Sequence, residues 1–105
     1  MANKYDVFIE SEAHKQRKKL PGHVRQRIKR TIDQLDTNPY PHTSRILDMT
    51  GYDVPDDVEL RRIRIKAWRL IYAVNEYEKW VWVCGIQKRP PYDYEDLQEF
   101  IDLIK

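Results

Sequence analysis

The stretch Glu59-Leu60-Arg61-Arg62-Ile63-Arg64-Ile65-Lys66 interleaves apolar and cationic residues. Successive side chains of a strand point to opposite faces, so Ile63 and Ile65 fall on one face and Arg62, Arg64 and Lys66 on the other. Two further runs follow closely, residues 68–76 and 80–87. Both are apolar on both faces, which predicts central strands covered on two sides. The short connection from Asn75 to Lys79 makes these two strands antiparallel neighbours. Pro90-Pro91 then stops the sheet.

Reading outward from this block, residues 5–10 alternate well enough for a first strand. Ser11 is the expected N-cap of a first helix that runs to about Leu20, where Pro21-Gly22 breaks it. A second helix is predicted over 22–36. Val24, Ile28, Ile32 and Leu35 step by three and four and form one apolar stripe, with Arg25, Arg27, Lys29 and Arg30 opposite. Asn38-Pro39-Tyr40-Pro41 ends that helix. Residues 42–57 are rich in turn formers, and Leu47 falls on a short edge strand there. A last amphipathic helix is predicted over 93–104, buried through Leu97, Phe100, Ile101 and Ile104. The fold class is therefore α+β: an N-terminal strand and a helical hairpin packed on a twisted, mainly antiparallel sheet, with a C-terminal helix, in one domain spanning 1–105.

Composition narrows the function. The net charge of +2 conceals strong segregation. Residues 14–30 hold eight Lys or Arg and no acid, and residues 61–69 hold five more, again without an acid. Five acids fall in 48–59 and five in 93–102. Such segregation builds a positive face, and a positive face attracts polyanions. A single cysteine, Cys84, cannot build a disulfide framework and fits a reducing compartment. The N-terminal residues are too charged for a signal peptide, and no run approaches the roughly 20 apolar residues that cross a bilayer. The expectation is a cytoplasmic protein without membrane contact. His14, His23 and His42 have no fixed spacing to one another or to Cys84, so neither a metal nor another cofactor is expected. Isolated Gly85 reads as a bulge or a close approach within a strand, not as a phosphate loop. Trp80, Trp82 and Tyr72 read as core; Trp68, at a strand start, is left open.

Several pieces in order resemble the RelE/ParE toxin superfamily of bacterial toxin–antitoxin systems. They are Leu35-Asp-Thr-Asn-Pro39 at the end of the second helix, Leu60-Arg-Arg-Ile-Arg-Ile-Lys66, Trp68-Arg-Leu-Ile-Tyr72, and Ile86-Gln-Lys-Arg89 followed by Tyr92 and Tyr94. The likeness covers nearly the whole chain and is poorest over 42–57. It implies a RelE-like toxin: an endoribonuclease that enters the ribosomal A site, meets mRNA and rRNA there, cuts the message without a metal, and is silenced by a cognate antitoxin. It also implies roles. Arg62, Arg64 and Lys66 fall on the family's cationic strand, Arg69 on its phosphate-contacting arginine, and Arg89 on its late-strand arginine. Lys88 joins Arg62, Arg64, Lys66 and Arg69 as RNA-binding. The family's catalytic tyrosine is Tyr92 or Tyr94.

The chemistry sets its own demands. RNA is cut without a metal when its 2′-OH attacks the adjacent phosphate. A base takes the 2′ proton, cations stabilise the crowded phosphorane, and an acid protonates the departing 5′ oxygen. Arginine stays protonated, so it stabilises charge well and accepts protons badly. The family often carries lysine at the positions of Arg62 and Arg64, which leaves Lys66 or a tyrosine as the base. Arg89 would assist the leaving group. Tyr92 or Tyr94 could also stack on a base. The same fold supports a second reading, a ParE-like inhibitor of DNA gyrase that binds and cuts nothing.

Overall fold

A computed structural model describes residues 4–88. The order of elements is β1 (Asp6–Ile9), α1 (Ser11–Lys18), α2 (Gly22–Leu35), β2 (Ser44–Ile46), β3 (Val58–Ile65), β4 (Trp68–Asn75) and β5 (Trp80–Lys88). The helix expected over 93–104 lies outside the described residues, as do Arg89, Tyr92 and Tyr94. The strands form one five-stranded sheet in the order β1-β5-β4-β3-β2. β2 to β5 are antiparallel neighbours, while β1 pairs parallel with β5, Phe8 lying beside Trp82.

Alternation along the strands divides the sheet into two faces with separate cores. On one, the α2 stripe Val24, Ile28, Ile32 and Leu35 packs on Ile63, Ile65, Leu70, Tyr72, Val74, Val81, Val83 and Ile86. Each large side chain buried here contributes on the order of 1.5–3 kcal/mol, which is why the stripe fixes the helix to the sheet. On the other face Leu60, Ile71, Ala73 and Cys84 are covered by Leu47, Met49, Tyr52 and Val54 of the segment between β2 and β3. That segment roofs part of the second face, so β4 is buried on both sides along most of its length, as its sequence predicts.

Two local expectations change. Ser11 is the first helical residue, and Glu10 takes the capping position with no side-chain cap bond. The Glu10 carboxylate instead accepts the indole N–H of Trp82 at 3.1 Å, tying β1 to β5. β3 ends at Ile65, so Lys66 leaves the strand. It enters the two-residue turn Lys66-Ala67 with φ 56°. The edge strand β2 ends one residue before Leu47, which was expected on it and instead begins the roof, and the remaining strand limits agree with the sequence to within a residue or two. Gly85 marks the expected bulge: the register of β4 and β5 shifts where Ile71 faces Gly85 and Tyr72 faces Val83. Beside it the Ile86 N–H donates to the Gln16 side chain of α1 at 2.8 Å.

Tyrosines tie the loops to the sheet. Buried Tyr72 donates its hydroxyl to the Pro39 carbonyl at 2.8 Å, and Tyr5 donates to the Glu76 carboxylate in the β4–β5 hairpin. Burial raises the phenols of Tyr5, Tyr40 and Tyr72 above their usual value of 10.0. A group raised in the folded state stabilises fully below its unfolded value and loses that contribution as pH climbs through its folded value. Resistance to urea is therefore expected to hold at mildly alkaline pH and to fall from about pH 10 upward. Tyr72→Phe should cost about 1 kcal/mol at neutral pH through the lost hydrogen bond, and should flatten the alkaline fall. Urea titrations across that range check both.

Candidate nucleic-acid interface

Arg62 and Arg64 reach the second face because they share the parity of Leu60. Leu60 packs under the roof, so Arg62 and Arg64, two and four residues on, lie on the same face beyond it. Cross-strand neighbours share a face, and Arg64 pairs with Arg69, which pairs with Gln87. The row Arg64–Arg69–Gln87 thus crosses three adjacent strands. Arg62 lies one row further toward the roof, opposite Ile71. Neighbouring strands are about 4.8 Å apart, comparable with the reach of one phosphate group and its oxygens.

Burial across the row is graded. Arg64 is exposed, Arg62 is half-buried, and Arg69 is 8% exposed. A guanidinium cannot shed its proton at any working pH. Arg69 therefore fixes a positive charge in the sheet surface, where screening by water is weak and attraction to an anion is correspondingly strong.

The surface continues in two directions. Arg45 of β2 pairs with Arg62 and is exposed, its guanidinium steadied by the carbonyls of His42 at 2.7 Å and Ser44 at 2.9 Å. Sequence reading missed Arg45 because its three-residue strand sits in the turn-rich region and carries too little alternation to assign a face. Past the end of β2, the edge of β3 borders a groove of about 560 Å³ against α2, whose charged lining is Arg64, Arg27 and Asp33. Two of these three are cations, which carries the basic surface around the sheet edge onto the helix.

Other sequence candidates fall elsewhere. Lys66 lies in the exposed β3–β4 turn at the end of the arginine row, not on a strand face. Lys88 pairs with Trp68, and Trp68 packs on the helix-side core. Lys88 therefore lies on the face opposite the arginines, because cross-strand partners project together. The same packing removes Trp68 as a stacking platform for this surface. Trp80 and Trp82 are half-buried against the second core, and half-exposed Phe8 sits beside Trp82 with ring centroids 6.0 Å apart. Arg61, of opposite parity, serves the fold. It binds Ser44 Oγ at 2.9 Å, pairs with Glu59, and lies over the Tyr40 ring at 5.3 Å.

Cys84 is buried, and burial pushes its thiol up to about 12, which keeps it in the unreactive protonated form. Among the described residues no three His, Cys, Asp or Glu side chains are grouped to hold a metal ion, and no helix is long and apolar enough to cross a membrane. The described surface offers instead a row of guanidinium groups on one face of the sheet, beside the 47–58 roof, suited to binding a phosphate chain and stabilising added negative charge on it.

No family model and no curated protein sequence matches the chain. Solved structures do. The RelE–RelB complex of Pyrococcus horikoshii contains a chain 27% identical, with a TM-score of 0.72 over 85% of this chain and 99% of that one. A chain of the RelB–RelE antitoxin–toxin complex of Methanococcus jannaschii is 25% identical, with a TM-score of 0.62 over 84% and 98%. The isolated RelE toxin of E. coli is 22% identical, with a TM-score of 0.60 over 96% and 99%.

Proposed function

Because this chain has the RelE-like toxin fold, we propose that it is the toxin of a toxin–antitoxin pair. It acts as an endoribonuclease that cleaves mRNA at the ribosomal A site and so stops translation. The observation that carries this reading is the row Arg64–Arg69–Gln87 with Arg62 beside it, cations from two strands brought to one face of the sheet.

The reaction needs no metal in this scheme. The 2′-OH attacks the adjacent phosphorus, a 2′,3′-cyclic phosphate forms, and the bond to the 5′ oxygen breaks. Arg62, Arg64 and Arg69 bind the phosphate and stabilise its extra negative charge. Arg89 assists the leaving oxygen, and Tyr92 or Tyr94 stacks on a base or moves the proton. Lys66, at the end of the row, is the amine nearest in sequence to these groups and the other candidate base. Arg45 and Arg27 extend the track for flanking nucleotides.

Lys88 projects from the opposite face, which argues against the RNA-binding role assigned to it from sequence. A cognate antitoxin is the expected partner, because a free surface of this kind is harmful to its own cell. The protein would act in the cytoplasm.

Induced expression followed by primer extension on a reporter message tests the reading. Cuts in phase with codons are expected. An intact message with relaxed or broken DNA would establish gyrase inhibition instead.

A further inference from the structure

A second groove lies at the other end of the sheet, away from the arginine row. It has a volume of about 590 Å³ and runs between the 46–59 segment and the start of the β4–β5 hairpin. Its rim carries the most exposed large apolar side chains among the described residues, Tyr77 at 85% and Ile46 at 61%. Its lining includes Asp48, Asp56 and Asp57, and no Lys or Arg among the described residues.

Exposed apolar area on a small domain favours an occupant, and the carboxylates select its charge. An RNA strand is repelled here. A second copy of this chain fits badly: among the described residues its cations sit on the arginine surface assigned to phosphate and on α1 and α2, where the apolar residues Val24, Ile28, Ile32 and Leu35 are already buried. The matching surface is a segment in which Lys or Arg residues flank one or two large apolar side chains.

Resting on the toxin reading above, we infer that this groove docks a cationic–apolar segment of the partner antitoxin, at a position separate from the arginine surface. The antitoxin then grips two places of opposite charge. The groove holds the complex together without itself touching message.

The test uses Ile46→Asp, Tyr77→Ala and Asp56→Lys, because the 47–58 segment is held by other groups: Asp48 accepts from Thr50, and Asp57 from Asn75. The probe is the purified product of the reading frame beside this gene, with affinity measured by titration calorimetry and folding of each variant checked by its melting temperature. The combination Ile46→Asp/Tyr77→Ala is expected to weaken the complex about 100-fold. Asp56→Lys is expected to slow association and reduce its salt dependence. Cleavage by the free toxin should stay at the wild-type rate for all three. Wild-type affinity in the folded double variant would overturn the groove assignment and leave the toxin reading standing. Absence of any complex with the wild-type chain would overturn both.

Discussion

Replacing Arg69 with alanine is expected to lower message cleavage about 100- to 1000-fold, the usual effect of removing one preorganised stabiliser of transition-state charge. Arg69 is singled out by its burial. A cation at the rim, such as Arg64, is screened by water and salt, whereas one that is 8% exposed acts through a medium of low polarisability. It also sits centrally in the sheet, between Arg64 on β3 and Gln87 on β5. Arg64→Ala should accordingly cost less, and its effect should shrink as salt rises. Arg69→Lys keeps the charge but loses the planar fork, so it should recover only part of the rate. Single-turnover cleavage on programmed ribosomes, with a thermal melt of each variant, separates lost chemistry from lost fold. A wild-type rate in folded Arg69→Ala would end the assignment of the arginine row to catalysis.

Leu60→Ala is expected to destabilise the protein by about 2–5 kcal/mol, a large share of what a domain of this size has. Leu60 is fully buried beneath Leu47 and the half-buried Met49, Tyr52 and Val54. Its carbonyl also accepts the Leu47 N–H at 2.9 Å, so backbone and side chain fasten the roof at one point. The cavity left by the missing atoms lies under a segment without helix or strand of its own, and hydrogen exchange should rise across 47–58 before it rises in β4. Arg62 and Arg64 are on β3 beyond the roof, so the folded fraction should cleave normally. A loss below about 0.5 kcal/mol in urea titration would show that the roof is not packed.

Much of this architecture was legible because it depends on local alternation. The period of two in 59–66 assigned Arg62 and Arg64 to one face and Ile63 and Ile65 to the other, and both faces are as expected. The three- and four-residue steps of Val24, Ile28, Ile32 and Leu35 gave the buried stripe of α2. What failed depended on tertiary context. Alternation cannot tell where a strand stops, so Lys66 was counted with the arginines although the chain turns there. A bulge resets parity, and the one between Ile71 and Tyr72 is what sends Gln87 to the arginine face and Lys88 away from it. Glu10 outcompeted Ser11 at the helix start because the strand preceding it places Glu10 beside the Trp82 indole, a contact 72 residues distant in sequence. Arg45 could not be assigned because a three-residue strand carries too little pattern.

The parallel pairing of β1 with β5 has a consequence for biosynthesis. The first strand described hydrogen-bonds to the last one described, Asp6 beside Trp80 and Ile9 beside Val83. A nascent chain therefore leaves Val7 and Ile9 without their strand partner until β5 has been made, and closure of the sheet at that edge waits on contacts of very high sequence separation. Fragments truncated before β5 lack Gln87 and the strand that flanks Arg69, so they cannot complete the row on which the proposed cleavage rests.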